Sequence, residues 1–270
     1  MKINKKIVSV VLFVGLVLGL SGCSSSSDNK IVVGATSVPH AEILEQAKPL
    51  LEEAGYDLEI QVFDDYVLPN KALDNGDLDA NYFQHQPYLD SQIEEFGYDF
   101  TSVANIHVEP IRVYSKKYTD VSQIPDGAKV LLSNSVSDQA RIFALFADAG
   151  LITIKDGVDP KFITIDDIES NPKNLVFDAD YDAALLSSVY QNGEGDLVAI
   201  NTNYALAAKI DPNEAVISES DESEYANVLA VRTEDQDSEK TKALVEALTS
   251  DEITEFINSN YDGAVIPASN

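Results

Sequence analysis

The chain has 270 residues, 44% hydrophobic and 8% aromatic, enough for a sizeable core and for two domains or one large one. Acidic residues outnumber basic ones 46 to 18, a formal net charge of −28. A body this anionic is repelled by nucleic acid and by anionic lipid head groups, which excludes nucleic-acid binding and attachment to a membrane by charge.

The first segment stands apart from the core. Lys2, Lys5 and Lys6 precede a fourteen-residue apolar run at 7–20, too short to span a bilayer comfortably but suited to the h-region of a secretory signal. It ends in Leu20-Ser21-Gly22-Cys23, and Cys23 is the only cysteine. This resembles the lipobox of bacterial lipoproteins, in which the cysteine is lipidated and becomes the new N-terminus. Residues 1–22 are therefore expected to be a signal peptide, and 23–30, with four serines, a lipidated flexible tether. Removing 1–22 leaves 15 basic and 46 acidic residues, a net −31. Anchoring then falls to the acyl chains, and the mature protein is expected outside the cytoplasm. A single cysteine given to lipid leaves nothing for disulfides or Cys-rich metal sites.

Beyond the tether, 31–34 (IVVG) predicts a short strand, and helical spacing begins after His40: Ala41, Ile43, Leu44, Ala47, Leu50, Leu51 and Ala54 share one face. Pro49 is expected to kink or split this helix, and Gly55 to end it. Strands are predicted at 58–63 and 78–83, helices at 65–75 and 87–96. The stretch 103–115, VANIHVEPIRVYS, is long, extended and interrupted by Pro110. Strands alternating with helices imply parallel βαβ units in an open sheet.

A second α/β set follows Asp126-Gly127, with strands predicted at 129–132, 162–165 and 196–200 and helices at 137–150 and 181–190. Residues 225–233, YANVLAVRT, are again extended, and helices at 238–248 and 251–257 close the chain, Ser250 capping the second. Two extended segments bracketing compact blocks predict two α/β lobes joined by two crossover strands. Lobe 1 would comprise 31–112 plus 229–270 and lobe 2 would comprise 113–228, with a ligand cleft between them.

Enzyme signatures are missing: the sequence holds no G-x-S-x-G elbow, no H-E-x-x-H pair and no G-x-x-x-x-G-K-[ST] loop. Residues 178–182, DADYD, open like a calcium loop but lack its sixth-position glycine and terminal Glu, and read as a solvated acidic turn. His40, His85 and His107, with Glu109, offer three imidazoles and a carboxylate to zinc or manganese, although no pair has short-range ligand spacing. A small amphoteric ligand fits better. Arg141, early in the 137–150 helix, would pair with a carboxylate, close to Asn134 at a strand end. Asn201, after the strand LVAI, would offer donor and acceptor to an amino-acid head group. Tyr66, Tyr82, Phe83 and His85 would hold an apolar side chain, thioether sulfur being favoured at aromatic edges. Tyr88 reads as core packing.

The segments VGATSVPHAEILE (33–45), DDYVLPNKALDNGDLDANYFQHQPYLD (64–90), IHVEPIRVYSKKY (106–118), NPKNL (171–175) and AINTNYAL (199–206) resemble the methionine-binding lipoproteins of the MetQ/NlpA type. The resemblance implies a periplasmic-binding-protein fold and delivery of an amino acid, L-methionine above all, to the permease and ATPase of an ABC transporter, without a cofactor. D-methionine, a methionine-containing dipeptide or another apolar amino acid remain alternatives. Positions matching the family's ligand-binding blocks are Tyr66, Tyr82, Phe83, His85, Asn134, Arg141 and Asn201. Three features depart from the pattern: Thr36-Ser37-Val38-Pro39-His40 stands where the family has TPGPH, the loop before Arg141 is rebuilt, and Arg112 stands where a small residue is common.

Overall fold

The structure is a computed structural model that describes residues 29–220 and 225–268. The expected signal peptide, Cys23 and the tether up to residue 28 lie outside the described residues.

In the first lobe, β1 (Lys30–Thr36) buries Ile31, Val33 and Ala35 completely. A turn at Ser37–Ala41 leads into α1 (Glu42–Glu53), which buries Ile43, Leu44, Ala47 and Leu51. The helix runs through Pro49 without splitting, because Pro49 is on the exposed face, where water can satisfy the carbonyl that loses its donor. β2 (Asp57–Phe63), α2 (Leu68–Asp74), β3 (Ala80–His85), α3 (Gln86–Phe96) and β4 (Phe100–Val108) follow. Gly97 closes α3 in the left-handed region (φ 72°), its N–H on the Ile93 carbonyl at 2.9 Å.

The second lobe comprises β5 (Arg112–Tyr114), β6 (Lys129–Ser133), α4 (Val136–Asp148), β7 (Thr153–Ile154), β8 (Ile168–Ser170), β9 (Val176–Tyr181), α5 (Ala183–Gln191), β10 (Leu197–Ile200), α6 (Thr202–Ala207) and β11 (Ala215–Ser218). The chain then returns to the first lobe as β12 (Ala226–Arg232), α7 (Glu239–Leu248), α8 (Asp251–Asn260) and β13 (Ile266–Pro267). Ser250 caps α8, its hydroxyl accepting from the Ile253 N–H at 3.3 Å.

The strands form two main sheets, ordered β13-β4-β12-β3-β1-β2 and β11-β5-β10-β6-β9. The βαβ strands pair in parallel, as expected, whereas β4, β12 and β13 in one sheet and β5 and β11 in the other are antiparallel to their neighbours. The chain passes from one sheet to the other at 109–111 and has returned to the first by Ala226, after leaving the second at Ser218, which gives two lobes and two crossovers. Helices cover both faces of each sheet. In the first lobe α1, α7 and α8 bring Leu44, Leu248 and Ile253 onto Val33, Leu229 and Val231, while α2 and α3 bring Leu73 and Leu89 onto Val228 and Ala230. In the second, α4 packs Ile142, Phe143 and Phe146 against Val130 and Leu132, and α5 packs Leu186 and Tyr190 against Leu131 and Val198.

Two elements differ from expectation. Residues 162–165 are not a strand but the junction of two short 3₁₀ turns capped by Asp159 and Thr164, and Phe162 and Ile165 are exposed. The acidic stretch around Asp178 is not a turn but the edge strand β9, whose outward positions tolerate aspartates. Among the described residues no helix is long and apolar enough to cross a membrane.

Candidate ligand-binding site

A cavity lies where the two lobes meet. Tyr66, Phe83, Gln84, His85 and Tyr88 line it from the region between β2 and α3, with His40 and Asn227 beside them. Asp138 and Arg141 of α4, Asn201 after β10, and Thr202 and Asn203 of α6 line it from the other lobe, and Glu109 from the first crossover.

One wall is aromatic. Tyr66 is its centre, with ring centroids 6.0 Å from both Phe83 and Tyr88 and 5.0 Å from Tyr204 of the opposite lobe. Burial, the largest influence, together with Tyr204, Asp138 and Glu109 holds the Tyr66 phenol well above its usual range, so it acts as a donor. A buried amide network stiffens the backbone behind this wall: Asn70 Nδ2 donates to Gln84 Oε1 (2.9 Å), Asn81 Nδ2 to Asn70 Oδ1 (2.8 Å) and Gln84 Nε2 to Asn81 Oδ1 (2.9 Å). This explains physically the polar residues inside the apolar segments VLPNKAL and NYFQH.

The opposite wall is polar and charged. The His85 side chain caps α3, Nδ1 accepting from the Tyr88 N–H at 3.1 Å, which leaves the proton on Nε2 facing Asp138 Oδ1 at 3.5 Å. Asp138 also accepts from Asn201 Nδ2 at 3.2 Å. Burial pushes the Asp138 carboxyl upward, but His85, Arg141 and Ser133 together outweigh it and hold the group below its ordinary value. Among the described residues Asn201 Oδ1, in a residue only 8% exposed, has no hydrogen-bond partner. Nδ2 is committed to Asp138, so this acceptor is left for a ligand donor.

At the cavity floor Glu109 is held by two imidazoles. His107 Nε2 donates to Glu109 Oε1 at 2.8 Å and His107 Nδ1 takes the Tyr82 hydroxyl. His40 accepts from the Thr36 hydroxyl at Nδ1 (2.8 Å), while Nε2–H meets Asn227 Oδ1 at 2.9 Å and Glu109 at 3.3 Å. Burial drives His40 down to about 4 against the pull of Glu109, and drives His107 down to about 3. Both rings are therefore neutral at physiological pH. Burial also raises Glu109, against His40, the Asn203 backbone N–H and Arg141. The facing atoms of His40, His107 and Glu109 lie within 4.8 Å of one another, a span that a cation could also bridge.

Of the seven predicted ligand-binding residues, Tyr66, Phe83, His85, Arg141 and Asn201 line this cavity. Tyr82 does not: strand alternation turns it to the face opposite Phe83, where its ring packs on His40 at 4.8 Å and His107 at 5.4 Å. Asn134 does not either; it is an exposed turn residue whose N–H bonds the Tyr181 carbonyl at 2.8 Å. The four-residue metal grouping divides, since His85 faces Asp138 rather than His40, His107 and Glu109. Arg112 is absent from the cavity lining and ties the first crossover to the C-terminal turn. Sequence reasoning missed Asp138, Asn203 and Asn227 and assigned Tyr88 to the core. Asp138 precedes Arg141 by three residues on one helix and so shares its face, but only the fold brings it to its partner His85.

The sequence profile of the NlpA lipoprotein family matches residues 31–269. The chain is 44% identical over 265 residues to the methionine-binding lipoprotein MetQ of Bacillus subtilis, covering 96% of each chain. It is 37% identical over 253 residues to the D-methionine-binding lipoprotein MetQ of Salmonella typhi, covering 92% of this chain and 93% of that one. A nutrient-binding protein from Burkholderia cenocepacia, solved bound to methionine, has the same fold, with a TM-score of 0.83 and 41% identity over 88% of this chain and all of that one.

Proposed function

Because this chain belongs to the NlpA lipoprotein family, we propose that it is an extracytoplasmic receptor, anchored by lipid on Cys23, that captures L-methionine and delivers it to the permease and ATPase of an ABC importer. It holds its ligand without transforming it. The observation that carries this reading is the buried Asn201 Oδ1, without a partner among the described residues, in a cavity whose other side is aromatic. A buried acceptor left empty costs about 1–3 kcal/mol, and an α-ammonium group fills it. Asp138 and Glu109 provide the negative charge that a cationic head group requires, and Arg141 is the guanidinium available to the carboxylate. Tyr66, Phe83, His85 and Tyr88 take the thioether side chain, whose polarizable sulfur suits ring edges.

The second reading, a receptor for a divalent cation, rests on the close approach of His40, His107 and Glu109. Calorimetry separates the two. Titration with L-methionine should give stoichiometric heat that N-acetyl-methionine, which lacks the ammonium, does not reproduce. Zinc or manganese binding with no response to methionine would overturn the amino-acid assignment. D-methionine, leucine and a methionine dipeptide in the same series rank the ligands.

A further inference from the structure

Arg141 is the guanidinium assigned above to the ligand carboxylate, yet one of its edges is already engaged by another acid. Its Nε donates to both oxygens of Glu219 at 2.9 Å, and its Nη2 donates to Glu219 Oε2 and, at 2.6 Å, to the Glu109 carbonyl. The Tyr225 ring covers one face of the guanidinium, 4.4 Å from Cζ to centroid. Glu219 begins the second crossover and is fastened to the first, its own N–H on the Ile111 carbonyl and its Oε2 accepting from the Ile111 N–H, both at 3.1 Å. One guanidinium therefore touches both crossovers and lines the ligand cavity.

We propose that Glu219 is a positioning residue for ligand capture: it fixes the Nε–Nη2 edge of Arg141 on the two crossovers and turns Nη1 to the ligand carboxylate. The inference rests on the carboxylate role given to Arg141. The opposite arrangement, with Glu219 as a stand-in that the ligand carboxylate displaces, would strip Oε2 of the Ile111 N–H as well as of Arg141. That would leave a part-buried backbone donor without its acceptor and part Glu219 from the guanidinium, which is the costly outcome. A fixed Glu219 leaves both satisfied. It also means that charge arriving at Nη1 acts on the crossovers through a rigid group, so carboxylate capture and lobe closure share one contact.

The test is calorimetry with L-methionine and L-methioninamide, at a pH where both amines are protonated, on the wild type, Glu219→Gln and Glu219→Asp. The wild type should prefer methionine. In Glu219→Gln the guanidinium loses its ionic clasp, and the preference for methionine over the amide should fall roughly tenfold or more. Glu219→Asp restores the charge and should recover part of that preference. Equal or tighter methionine binding by Glu219→Gln would overturn the inference. So would an equal loss for both ligands, which is what a purely structural role produces. A wild type that binds the amide as tightly as methionine would instead refute the carboxylate role of Arg141, and the inference with it.

Discussion

The phenol of Tyr66, which follows β2 in the first lobe, donates to Asn203 Oδ1 of α6 in the second at 2.6 Å. This bond crosses the cleft, as does that of Tyr204, whose hydroxyl donates to the Asp64 carbonyl at 3.2 Å. The described arrangement is a closed one, with the aromatic wall latched to the polar lobe. Tyr66→Phe keeps the ring and removes the latch. Ligand affinity should fall about fivefold, the equivalent of one net hydrogen bond of about 1 kcal/mol, while the melting temperature of the ligand-free protein changes little. Calorimetry showing unchanged affinity would mean that the bond plays no part in closure.

Asn201 separates binding from stability. Its Oδ1 is buried without a partner among the described residues, and its Nδ2 is one of several donors to Asp138. Asn201→Ala deletes an acceptor that the empty protein leaves unsatisfied. The melting temperature should stay constant or rise, and methionine affinity should fall about ten- to hundredfold. A parallel loss of stability and affinity in a melt and a titration would show that Asn201 is structural.

How far the sequence reaches depends on which force acts at a position. Helix faces such as Ile43, Leu44, Ala47 and Leu51 were legible because burial imposes a period on the chain. β9 was not legible, because an edge strand with one face in solvent carries aspartates that read as a turn. The aromatic wall and Arg141 were legible by residue type. The side of β3 that each aromatic occupies was not, since both faces of that strand are buried and alternation leaves no polar marker. Asp138 and Asn227 were hidden for a different reason. They act through partners distant in sequence, His85 and His40, that only the fold brings near.

The two buried imidazoles predict a stability slope on the acid side of neutrality. In the folded protein His40 titrates at about 4 and His107 at about 3; unfolded, both return to about 6.5. Below that value the unfolded chain binds protons that the folded one refuses. Stability should therefore fall as pH drops from 7 toward 5, by up to about 1.4 kcal/mol per pH unit for each ring. Glu109 works in the opposite sense, because its raised value lets the folded state take a proton first, and it offsets part of the slope. The other titratable and charged groups around this cluster include Tyr82, Arg141, His85, Tyr66 and Tyr261. Thermal melts should show the decline between pH 7 and 5, and His107→Gln should flatten it. A melting temperature constant over that range would contradict neutral burial of the pair.

Arg112 gives the last prediction, because the structure explains its presence without a ligand. Its Nη1 donates to the Pro110 carbonyl and to Thr202 Oγ1, both at 3.0 Å, and its Nη2 to the Gly263 carbonyl at 3.4 Å. These acceptors belong to the first crossover, the start of α6 and the turn before β13, so one side chain joins the crossover to both lobes. Arg112→Met preserves the buried stem and removes every donor. Thr202 still donates to the Pro110 carbonyl at 2.6 Å, which leaves the Gly263 carbonyl as the main loss. The expected destabilisation is about 1–2 kcal/mol, read by denaturant or thermal unfolding. The ranking of methionine, leucine and methioninamide should remain that of the wild type, because Arg112 does not line the cavity. A changed ranking would show that Arg112 acts on the bound ligand, and its role as a brace of the crossover would fail.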